Sequence, residues 1–134
     1  NDLGTALLWR NGTTTVTTGA TATALKTGEA NTNLIISVQG AGTYAASATR
    51  TGFVDWDLPS QDELNEVYVN RTVINQGIVA AGGTIIDLSA DYWTSTEAGS
   101  TTAYRQFFDT GAQLPTSAKF GTSLTTRAVR WVNI

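Results

Sequence analysis

Residues Asp55–Tyr68 read DWDLPSQDELNEVY: two aromatics, a proline and five carboxylates in fourteen positions. Pro59 disfavours helix at Leu58, so DWDL ahead of it is extended. Ser60 followed by Glu63 is a capping box. The Ser hydroxyl accepts the Glu63 N–H, and the Glu63 carboxylate accepts the N–H of Ser60. Gln61, Asp62 and Glu63 fill the first helical turn, where negative charge suits the helix dipole. Leu64, Val67 and Tyr68 then share one apolar face, with Arg71 a turn further on and Glu66 on the opposite, solvated side. The competing reading of Asp55, Asp57, Asp62, Glu63 and Glu66 is an acid–base pair or a Ca²⁺ site. A calcium loop alternates oxygen ligands around a glycine, and a helix beginning at Ser60 interrupts that pattern. The stretch therefore reads as scaffold, with function expected nearer the C-terminus.

Working outward, residues 29–39 (EANTNLIISVQ) place Leu34, Ile35 and Val38 at helical spacing before Gly40, which predicts the first helix. Residues 43–49 allow a short helical turn. Residues 5–9 (TALLW) read as a buried strand, and Asn11-Gly12 as a tight turn. The Thr-rich segment 13–27 favours strand or ordered loop. Thr21 and Thr23 fit a Thr-x-Thr ice-binding array, but no fixed-period repeat accompanies them. Residues 84–88 (TIIDL) read as strand or turn, and 92–97 (YWTSTE) as a strand. Along 103–108 (AYRQFF), Tyr104, Gln106 and Phe108 point one way, while Arg105, Phe107 and Asp109 point the other. Thr110-Gly111 is a hairpin turn, and 124–132 (LTTRAVRWV) a closing strand with Arg127, Val129 and Trp131 on one face. The expectation is an α+β fold, two helices packed on small antiparallel sheets.

Composition narrows the chemistry. The chain has 134 residues, one domain's worth. Charged residues are only 14%, so Thr, Ser, Asn and Gln must supply the polar surface. The net charge is −3 and the eight cations are scattered singly, which argues against nucleic-acid partners. No apolar run approaches 18 residues, so no membrane insertion is expected. Cys, His and Met are absent. Disulfides, thiolate nucleophiles and His bases go with them, as does nearly all zinc, copper or haem ligation. No catalytic residue, cofactor or metal is expected. Ser95 has no His partner and no G-x-S-x-G context. The sequons at Asn11 and Asn70 matter only in a glycosylating host. The chain starts at Asn1 without Met, which reads as a processed product or a piece of something longer, and the expectation is the C-terminal part of a longer chain.

Together these motifs carry a resemblance. NTN-L-I near 31–35 is followed by Ala45-Ala46, then G-F-x-D-W-x-LPS-x-DELN-x-x-Y at 52–68. YWTSTE at 92–97, A-Y-x-Q-x-F-x-x-G at 103–111, Lys119 and RAVR at 127–130 complete it. The order and spacing resemble the Lcl C-terminal domain family, over about residues 3 to 131. The resemblance implies a C-type-lectin-like fold of the kind found in bacterial adhesins, phage tail fibres and the variable proteins of diversity-generating retroelements. Departures are Tyr104, where the family often has Trp, and Asp57, where a large apolar residue is common. The formylglycine-generating enzymes that share the fold use cysteines, which this chain lacks. The Glu-Pro-Asn, Gln-Pro-Asp and Trp-Asn-Asp motifs of calcium-dependent sugar binding are absent too.

The resemblance implies a single extracellular recognition domain spanning 1–134, on a phage virion or a bacterial surface. Its partner would be a cell-surface glycan or protein, and a homo-oligomer, a trimer included, fits such fibres. In retroelement-linked members the C-terminal region is the ligand surface. The candidate ligand-binding residues are Arg105, Phe107, Asp109, Thr110, Leu114, Thr116, Phe120, Thr122 and Leu124. An exposed aromatic beside an Arg has the composition of a binding hot spot. The alternative is a virion decoration or fibre-assembly domain whose face is a subunit interface. Lys119 is expected to tie a loop. Arg127 and Arg130 are expected to pair carboxylates such as Asp55 or Glu97. Trp9, Trp56 and Trp93 are expected in the core, with Trp131 partly exposed.

Overall fold

The structure, a computed structural model, describes residues 2–6, 17–39, 55–119 and 124–132. The elements run β1 (Asp2–Ala6), α1 (Gly28–Gln39), α2 (Gln61–Val69), α3 (Arg71–Ala80), β2 (Asp91–Glu97), β3 (Thr102–Phe107), β4 (Gln113–Ala118) and β5 (Leu124–Arg127). The class is α+β. The strands form one sheet in the order β1-β5-β2-β3-β4.

Two details of the expected architecture are corrected. The sheet is mixed, because β5 lies parallel to β2 while its other neighbours pair antiparallel. There is also a third helix. The apolar face begun by Leu64, Val67 and Tyr68 continues past Asn70 into Ile74 and Ile78, which pack on the same cluster. Asn70 makes no side-chain cap for α3, so the usual start signal is missing.

The opening of α2 follows the residues as read. The Ser60 hydroxyl accepts the Glu63 N–H at 3.4 Å, and Glu63 Oε2 accepts the Ser60 N–H at 2.7 Å. Ser60 also donates to the Ala24 carbonyl at 2.8 Å, which brings the turn before α1 against this helix start. Asp57 extends the chain here by a two-way backbone bridge with Val129, each N–H···O at 2.8 Å.

α1 forms where expected but turns differently. Ile35 is fully buried, while Leu34 and Val38 are over a third exposed. The inward face is completed by Asn31 and Thr32. Asn31 donates to the Ala22 carbonyl at 2.7 Å and to Ser95 Oγ at 3.4 Å. Thr32 Oγ1 accepts the Leu58 N–H at 3.1 Å. The neighbouring coils have main-chain groups without ladder partners, and buried polar groups of that kind must be satisfied. Here the helix satisfies them, so polar residues point inward.

Strand periodicity divides the core. Tyr92 and Trp93 are consecutive in β2 and face opposite ways. Trp93 joins Ala20, Ile35, Leu58 and Ala103. Tyr92 joins Leu64, Ile86 and Phe108. Full burial of a side chain such as Ile35 or Leu64 contributes about 1.5–3 kcal/mol. Trp9 and residues 43–49 lie outside the described residues. The Thr-rich segment is ordered coil from residue 17, with Thr21 and Thr23 exposed on it, and 84–88 is coil.

Candidate functional site

The β3–β4 hairpin carries most of the predicted surface. Its turn is built by Gly111, whose φ of 81° suits glycine. A side chain there would also strike the Tyr68 ring, 2.5 Å from an added Cβ. The turn closes through Gly111 N–H to the Phe107 carbonyl at 2.8 Å, and Asp109 Oδ1 accepts the Thr110 N–H at 2.7 Å. Phe108 anchors it from below. It packs at 4.6 Å from Tyr92 and edge-on at 5.5 Å from Tyr68. Asp109 and Thr110 are therefore exposed groups on a fixed turn.

The register sorts the side chains. Gln106 pairs with Gln113 and with Tyr92, on the face toward α2. There Gln106 donates to Asn65 at 2.9 Å, and Gln113 donates to Gln106 at 3.2 Å and to the Gln61 carbonyl at 2.7 Å. Arg105 pairs with Leu114 and Trp93, and Phe107 with Asp91, on the other face. That face is sealed at Trp93 and Ala103 but opens toward the turn, where Arg105 and Phe107 are half-buried and Leu114 exposed; Thr116 is exposed further along β4, where the register shifts and Ser117 pairs with Ala103.

Arg105 is held in place. Its guanidinium lies 3.2 Å from Asp91 Oδ2 and 4.5 Å over the Phe107 ring. Burial raises the Asp91 carboxyl above its usual value, Arg105 pulls it down, and Asp109 pushes it up again. The arrangement presents a fixed cation on an aromatic, flanked by an aliphatic side chain and by hydroxyls. Sequence reading did not find Asp91, because its role depends on the β2–β3 register.

Other expected site residues fall elsewhere. Leu124 lies on β5, and its side chain packs against the Trp93 cluster rather than outward beside Arg105. Phe120 and Thr122 lie outside the described residues. Ser95 is fully buried, with its Oγ accepting from Asn31.

The cations and tryptophans are placed as follows. Arg130 pairs with Asp55 in bidentate fashion, at 3.0 and 2.8 Å, which holds the Asp55 carboxyl below its ordinary value. Glu97 pairs instead with Lys119, 3.2 Å away and fully buried, and Glu97 also accepts from the N–H and hydroxyl of Thr18. Burial pushes the Lys119 ammonium down, and Glu97 opposes that. Arg127 donates to the carbonyls of Thr84 and Ile85 at 3.0–3.3 Å. Trp93 is core, Trp56 half-buried under Arg130, and Trp131 is 47% exposed with Nε1–H donating to Glu63 Oε1 at 2.7 Å.

Asp57 is half-buried near Glu29, Glu63 and Asp55, and burial together with their charge pushes its carboxyl up to about 6. Among the described residues no group of three or more acidic, His or Cys side chains is arranged to hold a metal ion. No described helix is long and apolar enough to cross a membrane. No family model and no curated protein matches the chain.

Proposed function

We propose that the chain is a non-enzymatic recognition domain with a C-type-lectin-like fold, carried by a phage tail fibre or a bacterial surface adhesin. It binds a cell-surface glycan or protein on the open face of the β3–β4 hairpin. The observation that carries this reading is the Asp91–Arg105–Phe107 cluster. A cation fixed between a carboxylate and an aromatic ring loses little side-chain entropy on binding, and Arg and aromatic anchors dominate recognition energetics. Leu114 extends that face, and Asp109 and Thr110 border it on the rigid turn. The fold and the setting rest on the ordered motifs from Asp55 to Arg130.

The test is binding of the folded domain to a panel of bacterial cells and to a glycan array, with and without Ca²⁺. The expected result is calcium-independent binding that Arg105→Ala with Phe107→Ala weakens at least about a hundredfold, the cost of two hot-spot residues. Unchanged binding by a folded double variant would overturn the placement, and strict Ca²⁺ dependence would return the acidic stretch to consideration.

A second reading is favoured by a different surface. From Thr72 to Ile86 the chain carries no charge, and Val69, Val73 and Val79 are 61–70% exposed. That composition suits a face covered by a neighbouring subunit in a fibre or virion. Loss of assembly on Val73→Lys with Val79→Lys, with cell binding by the isolated domain absent throughout, is the outcome that selects it.

A further inference from the structure

A pocket of about 320 Å³ lies away from the hairpin face, between the first turns of α2 and the segment that follows β5. Leu25, Val67, Val129 and Trp131 form its apolar wall, and Glu63, Glu66 and Arg130 its polar edge. Three features set it apart from an incidental surface groove.

The Trp131 indole is half-exposed but fixed. Its N–H is held by Glu63 Oε1, and the other oxygen of Glu63 is held by the Ser60 N–H that begins α2. The turn beside it is strained. Lys26 has a φ of 66°, a left-handed conformation that residues other than glycine rarely adopt. It places its ammonium 5.3 Å from the centroid of the Trp131 ring. Strain of this kind gathers at binding sites. Finally, the edge carries both signs. Glu63, Glu66 and Arg130 line it, and the Lys26 ammonium lies outside the lining beside Trp131. Arg130 is engaged by Asp55, Glu63 by Ser60 and Trp131, and Glu66 accepts from Asn70 at 3.4 Å.

We propose that this pocket binds a single neutral pyranose residue, its apolar ring face on Trp131 and its hydroxyls at the edge formed by Glu66 and Arg130. The charge pattern selects the class. An anion meets Glu63 and Glu66, and a cation meets Arg130 on the lining with the Lys26 ammonium beside Trp131, so neither gains from the edge as a whole. A hydrocarbon would strip water from those groups and return no hydrogen bond. A hydroxyl both donates and accepts, so one polyol serves a carboxylate and a guanidinium together. The volume sits at the small end of the range for ligand pockets, which limits the occupant to about one sugar ring.

The site is distinct from the hairpin face, and its test reads the two separately. Isotope-labelled domain is titrated with methyl glucoside, methyl galactoside and methyl mannoside, following the indole N–H signal assigned through Trp131→Phe. The expected result is a saturable shift of that signal by at least one of the three, with Kd of about 1–10 mM. Trp131→Ala, followed through the backbone amide signals of Val67 and Arg130, should weaken binding at least about tenfold, as loss of an aromatic anchor does. Glu66→Gln, at an exposed position that spares the fold, should weaken it several-fold. Arg105→Ala with Phe107→Ala should leave it unchanged. The proposal fails if no neutral glycoside shifts the signal up to about 100 mM, a limit that corresponds to negligible affinity. It also fails if methyl glucuronide or glucosamine binds tighter than the neutral sugars, or if a folded Trp131→Ala or Glu66→Gln domain binds as well as the parent.

Discussion

Asp57 faces Glu29, Glu63 and Asp55 from a half-buried position, and the consequence is measurable as a pH dependence. Its folded carboxyl titrates at about 6, against 3.8 for the free side chain. Between those values the folded chain holds a proton that the unfolded chain has released. Its stabilising contribution is complete below 3.8 and is lost as pH rises through about 6. Asp57→Asn should therefore raise Tm at pH 7 by a few degrees, on the order of 1–2 kcal/mol after solvent screening. At pH 3.5 the variant and the parent should melt together. Thermal melts of both across that range decide it, and equal differences at both pH values would refute the shift. The sequence shows this acid beside Leu58 in the stretch that leads into α2. It gave no sign of Glu29, which comes close only through the packing of α1 against the start of α2.

Elements were read most reliably where short-range chemistry sets them. The Ser60–Glu63 box placed the start of α2, and Thr110-Gly111 placed the hairpin turn. The α1 face was misassigned because periodicity counts apolar residues, whereas Asn31 and Thr32 are buried to satisfy coil main chain. α3 was missed because it begins without a cap, and β4 because Pro115 and the polar side chains of an edge strand look like loop. The join between α1 and α2 supplies a test. An added Cβ at Gly28 would lie 2.5 Å from the Leu58 carbonyl oxygen and collide with Glu63 Oε2. Gly28→Ala should thus destabilise by about 1–3 kcal/mol, the usual cost of overpacking. At Gly77, inside α3, an added Cβ meets nothing within 4 Å. Gly77→Ala should stabilise by about 0.5–1 kcal/mol through helix propensity alone. Urea melts of the pair separate contact from propensity, and a neutral Gly28→Ala would show that the two helix starts are not in close contact.

Over the whole molecule, stretches distant in sequence are tied together by polar groups rather than by a single apolar core. Glu97 joins Thr18, Lys119 and, through its main-chain N–H, the Ala20 carbonyl. Removing one member of a buried ion pair costs about 3–5 kcal/mol, because the survivor remains charged without its partner. Glu97→Gln should lose that much in a urea melt, while Glu97→Gln with Lys119→Met should recover more than half. Additive losses would mean that the two do not act as a pair. Such ties escape sequence reading: Arg127 and Arg130 were both expected to meet carboxylates, and Arg130 meets Asp55, but Glu97 is taken by Lys119. The sheet order carries one more consequence. β1 and β5 are antiparallel neighbours, with Asp2 opposite Arg127 and Ala6 opposite Leu124. The chain therefore enters and leaves the sheet at the same end of one ladder. Tension applied between those two ends opens that ladder one rung at a time, instead of shearing all its hydrogen bonds at once. Pulled by both ends, the domain should yield at low force from this edge inward.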